Sequence, residues 1–463
     1  MRDPLSPEQR AKFSRGTEVG IYARDLFPGG VDASPPTHFQ MAKSVEMTAA
    51  LLQDPDVKVI YEAAFEFDEV VVALDILYKE NGEWKALEVK SSRSISDTYR
   101  WDASLQYYVI TGSGLQLGDF SIAYINENYV KEGIISPRQL FVTESLFDLV
   151  KERYSETAAK VAELKGVTIL KSSPAVPIGP HCNYPYPCEF HGHCWKKVPI
   201  DSVLQLDKVE DQQKFNWYHG GIVRIGDLPD EVIERELLAQ QIESIAKGSP
   251  VVDRKALAAF LQETNRQLVL SVFDLAPAIP LLDGTSPYQA IPWGLRLTTT
   301  DGIPIVTYLD DPGGYSLGQF QKQLMQIADL DDEIWIFHKQ KLLALLESCS
   351  KLNPGFKELI FKFQPRLKEL LFPLESNMVV WPGMTATVTP ENILRHFGKN
   401  TEKLPSKMAI NEEAAAVFEK LMRLQVLSKE NNEAELLENF MVAKHANTVG
   451  LLYLWKQLGG LIL

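Results

Sequence analysis

A chain of 463 residues is too long for one hydrophobic core and predicts two or three domains. With 45% hydrophobic and 23% charged residues, its composition is that of a soluble globular protein. The formal net charge of −14 counts against a partner held by charge alone, such as nucleic acid on a basic face. It counts less against an enzyme whose own carboxylates are neutralised by bound cations.

The opening residues, Met1 to Glu8, are polar and Pro-rich, so no signal peptide is expected there. A strand-like run follows at Val57–Phe67, and Val70–Tyr78 is apolar and β-branched. Lys85–Ser91 is a further short strand, and Asn81-Gly82 between the two is the strongest short hairpin signal. With Asn81 and Gly82 as the two turn residues, position 80 pairs with 83, and Asp75 comes opposite Glu88. Alternation along the strand then puts Glu88 and Lys90 on one face and turns Val89 into the core. A helix over Trp101–Thr111 and a strand over Phe120–Tyr124 complete a β-β-β-α-β order, which predicts a mixed sheet with a helix against it.

The region 201–262 is charged and helix-forming (Glu231–Lys247, Arg254–Glu263) and reads as a connector. Within it, His219-Gly220-Gly221 through Gly226 and Pro229 is similar to a helix-hairpin-helix turn, although a plain helix–turn–helix connector accounts for it better. Strand patterns return at Leu268–Leu275, Trp293–Thr299, Ile305–Leu309 and Ile334–Phe337, and helices over Asn411–Leu427 and Asn432–Trp455 close the chain. The expected division is a domain over 1–200, a helical connector over 201–264 and a second α/β domain over 265–463. The most apolar run, Val449–Leu463, is short for a membrane span and contains Lys456, so it predicts a buried terminal helix. No membrane partner and a cytoplasmic place of action are expected.

Two clusters carry chemistry. Asp75 lies in an otherwise apolar strand, where an unpaired buried carboxylate is costly. Glu62 in the preceding strand offers a third oxygen, and Gln106-Tyr107-Tyr108 lies on the helix that packs beside the pair. Two or three carboxylates suffice for Mg²⁺ or Mn²⁺, which keeps several waters. Lys90 would orient or help deprotonate a water and stabilise a charged transition state, as phosphodiester hydrolysis requires. The plain alternative is a solvated strand face, since Glu-x-Lys is common. The second cluster is His181-Cys182, Cys188, His191, His193-Cys194-Trp195. Clustered Cys in a reducing compartment points to a metal, and His181, His191 or His193 would complete a Cys3His zinc site. An iron–sulfur cluster ordinarily takes four Cys. Cys349, on an amphipathic helix, reads as a core thiol.

On these motifs the first 200 residues resemble the PD-(D/E)xK nuclease superfamily, in its RecB-like branch, which includes CRISPR-associated exonucleases with iron–sulfur clusters. The resemblance rests on Leu74-Asp75-Ile76-Leu77, Leu87-Glu88-Val89-Lys90-Ser91-Ser92, Gln106-Tyr107-Tyr108 and the trailing cysteines. The whole chain is similar to a bacterial family that joins such a nuclease to a domain like the DnaQ-type 3′–5′ exonucleases. Gly16-Thr17-Glu18-Val19-Gly20, Leu26 to Gly30, Tyr61-Glu62-Ala63-Ala64-Phe65, Pro277-Ala278-Ile279-Pro280 and Pro287-Tyr288-Gln289 match its pattern. The resemblance implies a restriction-endonuclease-like mixed sheet with flanking helices, a helical connector and an RNase H-like α/β domain. It implies a metal-dependent nuclease acting on DNA, with Asp75, Glu88, Lys90 and Gln106 catalytic. Glu62, Asp75 and Glu88 would hold Mg²⁺ or Mn²⁺, and Cys182, Cys188 and Cys194 an iron–sulfur cluster or Zn²⁺.

The sequence departs from that pattern in three places. RecB-like nucleases often carry a His after Gly-x-x-Val, where this chain has Gly20. The iron–sulfur relatives take a further Cys from a segment upstream that is not expected here. In the second domain, alignment on Pro277–Pro280 puts Ser271 and Phe273 where two metal-binding acids belong. Asn447 stands where a late Asp belongs, which leaves only Glu369 as a candidate acid. Two-metal catalysis needs those carboxylates, so the expectation is a pseudo-exonuclease that binds substrate or a protein partner. The rival expectation is a non-catalytic regulator, binding nucleic acid or protein, in which both nuclease folds have decayed.

Overall fold

The computed structural model describes residues 2–4, 7–35, 37–206, 209–234, 236–262, 267–381, 411–424 and 431–460. They fall into two α/β units, each built on a mixed sheet. One comprises Glu8–Pro177 together with Ala276–Gln289, and the other comprises Met1–Pro7, Ile178–Leu275 and Ala290–Leu463.

The first unit carries a six-stranded sheet whose strands lie in sequence order. They are β1 (Val31–Asp32), β2 (Val59–Phe67), β3 (Val70–Glu80), β4 (Glu83–Lys90), β5 (Leu117–Ile125) and β6 (Phe141–Ser145). β1 runs parallel to β2 and β4 parallel to β5, while the other neighbours are antiparallel. The Asn81-Gly82 hairpin forms as expected, with Glu80 paired to Glu83 and both turn residues left-handed (φ 53° and 90°). That is the turn whose twist matches its flanking strands. The β2–β3 turn is equally tight and puts Asp68 and Glu69 at positive φ. Asp68 is held there by the Lys165 ammonium at 2.6 Å and the Tyr108 hydroxyl at 3.0 Å.

Both faces of this sheet are covered, which is why β4 buries Ala86, Leu87 and Glu88 in succession rather than alternating. On one face, Leu74, Leu77 and Phe120 pack against α2 (Met41–Gln53), α3 (Asp97–Gly112) and the helix Tyr154–Thr168. On the other, Ile76 and Leu87 pack against Val19 and Ala23 of α1 (Pro7–Ala23) and against Ala278 and Ile279. α3 starts at Ser96, whose hydroxyl accepts the Tyr99 amide, with Asp97 in the first turn to meet the positive helix end.

The second unit has five strands: β8 (Gln267–Leu275), β9 (Ile291–Thr299), β10 (Pro304–Leu309), β11 (Glu333–Ile336) and β12 (Leu367–Glu369). They lie in the order β10-β9-β8-β11-β12, with β8 to β10 antiparallel and β11 and β12 parallel to β8. β7 (Val251–Val252) pairs separately with β13 (Val379–Val380). Three helices (Leu317–Ala328, Lys339–Ser350, Phe356–Phe363) cover one face, and Arg254–Leu261 and Asn431–Gly460 cover the other. The expected helix over Asn411–Leu427 is observed as Asn411–Leu424, and its last residues lie outside the described ones. Leu451, Leu452 and Trp455 of the terminal helix are buried. Among the described residues no helix is long and apolar enough to cross a membrane.

The units do not divide at 200 and 264. Residues 178–262 belong to the second unit and build a small core of Val203, Leu206, Ile225, Leu228, Leu238 and Ile245. The Gly220–Pro229 stretch is pinned there by a bridge between Ser202 and Arg224. Conversely, residues 276–289, between β8 and β9, belong to the first unit, because Ala278 and Ile279 are buried in its core.

Candidate active site

The β3–β4 ladder runs from Glu80/Glu83 down to Ile76/Leu87, where its paired rungs end, and Asp75 and Glu88 are the next residues on the two strands. There the ladder ends with a side chain: the Val89 amide donates to Asp75 Oδ2 at 2.6 Å. Glu88 is 7% exposed. Its Oε1 accepts from Lys90 Nζ at 2.9 Å, while its buried Oε2 meets no hydrogen-bond partner. Lys90 Nζ also donates to Asp102 Oδ2 at 2.6 Å and lies 5.1 Å over the Tyr99 ring. Gln106 is buried beside Glu88, and its amide favours the charged carboxylate.

The electrostatics follow from this packing. Burial pushes the Asp75 carboxyl well above its ordinary range, and the charges of Glu88 and Glu62 push it further, against the Val89 amide and Lys90. Burial also raises Glu88, with Lys90 opposing. Burial works against the Lys90 charge, but Glu88 and Asp102 outweigh it and hold Lys90 above the usual lysine range. Lys90 is therefore a fixed cation in this arrangement, suited to stabilising negative charge.

Glu62 lies between the Tyr61/Ile76 and Ala63/Leu74 pairs and is itself skipped by the ladder, as is Asp75 on β3. Its φ of 54° is left-handed, a conformation that breaks the regular strand and re-aims the side chain. The carboxylate meets Arg24 Nη2 at 3.4 Å, and Arg24 is anchored on Asp32 at 2.6 Å. Burial raises the Glu62 carboxyl, with Arg24 opposing. Glu62 thus contributes field at Asp75 but is turned toward the guanidinium.

Among the described residues no three His, Cys, Asp or Glu side chains are gathered closely enough to hold a metal ion. The Asp75–Glu88 pair nonetheless fits a hard divalent cation. Its two carboxylates lie on the neighbouring central strands β3 and β4, where the Glu88 charge reaches Asp75, and Glu88 Oε2 is a buried acceptor with no hydrogen-bond partner. A cation satisfies such an oxygen and removes the repulsion that raises Asp75. Glu62 would have to leave Arg24 to offer a third oxygen.

The cysteine segment is not gathered. Cys182 is buried, Cys188 and Cys194 are exposed, and all are free thiols. The Cys188 amide donates to the Cys182 carbonyl at 2.8 Å. The His191 ring stacks on Trp195 at 4.5 Å, and the Gly192 amide donates to Asp3 Oδ2 at 2.7 Å. His181 and His193 lie in the same segment and complete no ligand set with these thiols. Cys349 is buried, and burial pushes its thiol up to about 12.

In the second unit the two degenerate motifs do converge. His445 Nδ1 lies 3.0 Å from Ser271 Oγ and Nε2 lies 2.8 Å from Thr298 Oγ1, and Ser271 Oγ reaches Thr448 Oγ1 at 3.4 Å. Ser271 stands where the resemblance implies a metal-binding acid, and hydroxyls and a buried imidazole surround it. Phe273 packs on Trp293 and Phe440. Glu369 caps the Lys339 amide at 2.9 Å instead of joining them. The Asn447 side chain lies outside the described residues.

Sequence reasoning missed Asp102, Tyr99 and Arg24. Asp102 had a signal: it precedes Gln106 by four residues and so shares its helix face. Arg24 had none, because nothing in the sequence marks Glu62 as left-handed.

No family model matches the chain, and no curated protein matches it. A solved structure described as "Crystal structure of SSO0001" is similar over 41% of this chain and 86% of that one, at 11% identity and a TM-score of 0.18. A likeness that slight bears on neither fold nor function.

Proposed function

We propose that the first unit is a metal-dependent nuclease of RecB-like type that hydrolyses phosphodiester bonds in DNA, acting in the cytoplasm. The observation that carries this reading is the pair of carboxylates on the adjacent central strands β3 and β4, Asp75 and buried Glu88, beside an ammonium held at 2.9 and 2.6 Å by Glu88 and Asp102. Asp75 and Glu88, joined by Glu62, would hold Mg²⁺ or Mn²⁺. Such an ion supplies Lewis acidity and an acidified water. The chain's own residues do the rest. The Val89 amide fixes Asp75, and Glu88 and Asp102 fix Lys90. Lys90 then presents positive charge where a pentavalent phosphorus would gather negative charge. Gln106 steadies Glu88 from α3.

The second unit is proposed to be a pseudo-exonuclease that binds substrate or a protein partner. The Ser271–His445–Thr298 cluster supports this, since hydroxyls and a neutral imidazole make poor ligands for two Mg²⁺ ions. A structural metal in the Cys182–Cys194 segment, iron–sulfur or zinc, is proposed from residue types alone. Metal analysis with absorption near ~400 nm, where iron–sulfur clusters absorb and zinc–thiolate sites do not, decides it.

One observation favours a second reading, a binding protein without catalysis: Glu62 is already ion-paired with Arg24, which leaves two carboxylates for the metal. Digestion of plasmid and single-stranded DNA with Mn²⁺ separates the two readings. The nuclease reading expects degradation by the wild type and a loss of about 10²-fold or more in Lys90→Ala. Equal degradation by both proteins, or none by either, removes it.

A further inference from the structure

The segment Ala276–Gln289 joins two strands of the second sheet, yet it packs as part of the first unit. Its anchoring is apolar through Ala278 and Ile279 and polar through Lys131, whose ammonium pairs with Asp283. Tyr288 does something else. Its hydroxyl donates to the carbonyl of Ser91, the residue directly after Lys90. Its amide donates to Pro277 O at 2.8 Å, and its φ is 61°. A bulky aromatic residue seldom takes that conformation, and the surroundings must hold it there. Two guanidinium groups lie against the same ring: Arg15 of α1 at 5.9 Å and Arg93 at 5.7 Å from its centroid.

Among the described residues neither Arg15 nor Arg93 is paired with a carboxylate, although Asp and Glu outnumber Lys and Arg by 61 to 47. A guanidinium stacked on an aromatic face keeps its N–H edge free, and that edge matches phosphate oxygens two at a time. Both arginines are also tied to the carboxylate site. Arg93 follows Lys90 by three residues. Arg15 lies on α1, the helix that also carries Gly20, where an added Cβ would stand 3.9 Å from Asp75 Oδ1.

We propose that Arg15 and Arg93, seated together on Tyr288, grip phosphates of the nucleic-acid strand next to the bond presented to Asp75, Glu88 and Lys90. Tyr288 is the positioning residue. It stacks with both cations and ties the end of β4 through Ser91. The ligand is therefore a polynucleotide strand with phosphates next to the scissile one, not a mononucleotide. This inference rests on the nuclease reading for its geometry, but it concerns binding and can be tested apart from cleavage.

The test measures affinity of the full chain for a labelled oligonucleotide, without divalent metal, across a salt series. Arg15→Gln/Arg93→Gln is expected to bind at least tenfold more weakly at ~0.1 M salt, with the slope of log K against log salt shallower by about 1.4–1.8, the share of two phosphate contacts. With metal added, its KM rises while kcat stays within about twofold, as loss of uniform binding predicts. Tyr288→Phe keeps the ring and keeps the affinity, whereas Tyr288→Ala loses it as the double variant does. An unchanged affinity and slope in the double variant, with a wild type that binds and cleaves, overturns the inference and leaves the nuclease reading standing. A wild type that binds through the two arginines yet never cleaves upholds the inference and overturns the nuclease reading. A wild type that binds no oligonucleotide overturns both.

Discussion

Gly20 lies directly against Asp75: a Cβ placed on the glycine would stand 3.9 Å from the carboxylate Oδ1, with no nearer neighbour. The RecB-like nucleases that the sequence resembles often carry a histidine after Gly-x-x-Val, and at Gly20 the space is open. Gly20 is inside α1 and is not among the residues with positive φ, so a side chain is tolerated. Gly20→His should therefore add an imidazole to the carboxylate pair. Imidazole suits transition metals better than Mg²⁺, so the Mn²⁺ concentration for half-maximal cleavage is expected to fall about tenfold, with little change for Mg²⁺. Gly20→Ala is the control. It should raise stability by about 1 kcal/mol through helix propensity and leave both metal titrations alone. A Mn²⁺ midpoint that does not move in Gly20→His would show that the metal is held elsewhere.

Opposite stability effects are expected at two residues that both abolish cleavage. Glu88→Gln keeps an acceptor for Lys90 and removes a buried charge that faces Asp75 and whose Oε2 is unpartnered. The metal-free variant should melt at a higher temperature than wild type, while activity falls by about 10²-fold or more. Lys90→Ala does the reverse. It strips Glu88 of its cation and leaves a carboxylate that is 7% exposed without an ion-pair partner. Breaking a buried pair from one side costs about 3–5 kcal/mol, and the double variant should recover part of it. Denaturant melts of the metal-free proteins check all three. A stabilised Lys90→Ala would mean that Glu88 is solvated, contrary to its burial.

What the sequence made legible at this site is local. Asn81-Gly82 dictates a two-residue turn, the turn dictates register as far as Ile76 and Leu87, and Asp75 and Glu88 follow on the two strands, with Lys90 two residues further along β4. Gln106 follows from the next helix. What stayed hidden depends on long-range packing. The ion pair between Arg24 and Glu62 exists because Glu62 is left-handed, and a β-propensity pattern carries no sign of φ. Residues 276–289 pass into the first unit, but in the sequence Pro277, Pro280 and Pro287 mark only a loop of the second domain. Ser271 and His445 are 174 residues apart, and only the packing of the terminal helix on β8 shows that their two altered motifs form one cluster.

His445 gives the second unit an acid-sensitive joint. Its ring is 3% exposed and hydrogen-bonded at both nitrogens, and burial, with Arg296 nearby, lowers its pKa to about 3. The folded pKa is below the unfolded one, so folding favours the neutral ring. The stability this contributes is complete above about pH 6.5 and is lost as pH falls. At about 1.4 kcal/mol per pH unit, the loss between pH 6.5 and 5 is about 2 kcal/mol. His445→Gln keeps polar atoms and cannot charge. The wild type should lose about 2 kcal/mol more than the variant over that range in urea melts, and parallel pH profiles would count against a neutral buried ring.

Asp310 should behave in the opposite sense. It is 4% exposed at the end of β10, with Oδ1 accepting the amides of Asp311 at 2.9 Å and Ser316 at 3.3 Å. Oδ2 is buried without a hydrogen-bond partner. Burial raises its pKa to about 6, against those amides and Tyr308. Here the folded pKa exceeds the unfolded one, so the protonated acid is favoured on folding. That benefit is full below about pH 3.8 and is lost as pH rises through 6, which leaves a cost of about 3 kcal/mol at neutral pH. Asp310→Asn keeps the acceptor for both amides and removes the charge. It should stabilise the protein by on the order of 2 kcal/mol at pH 7.5 and by far less at pH 4.5, read from urea melts at the two values. A wild type that is the more stable of the two at pH 7.5 would mean that a cation meets Oδ2 in solution, making Asp310 a binding group instead of a buried liability.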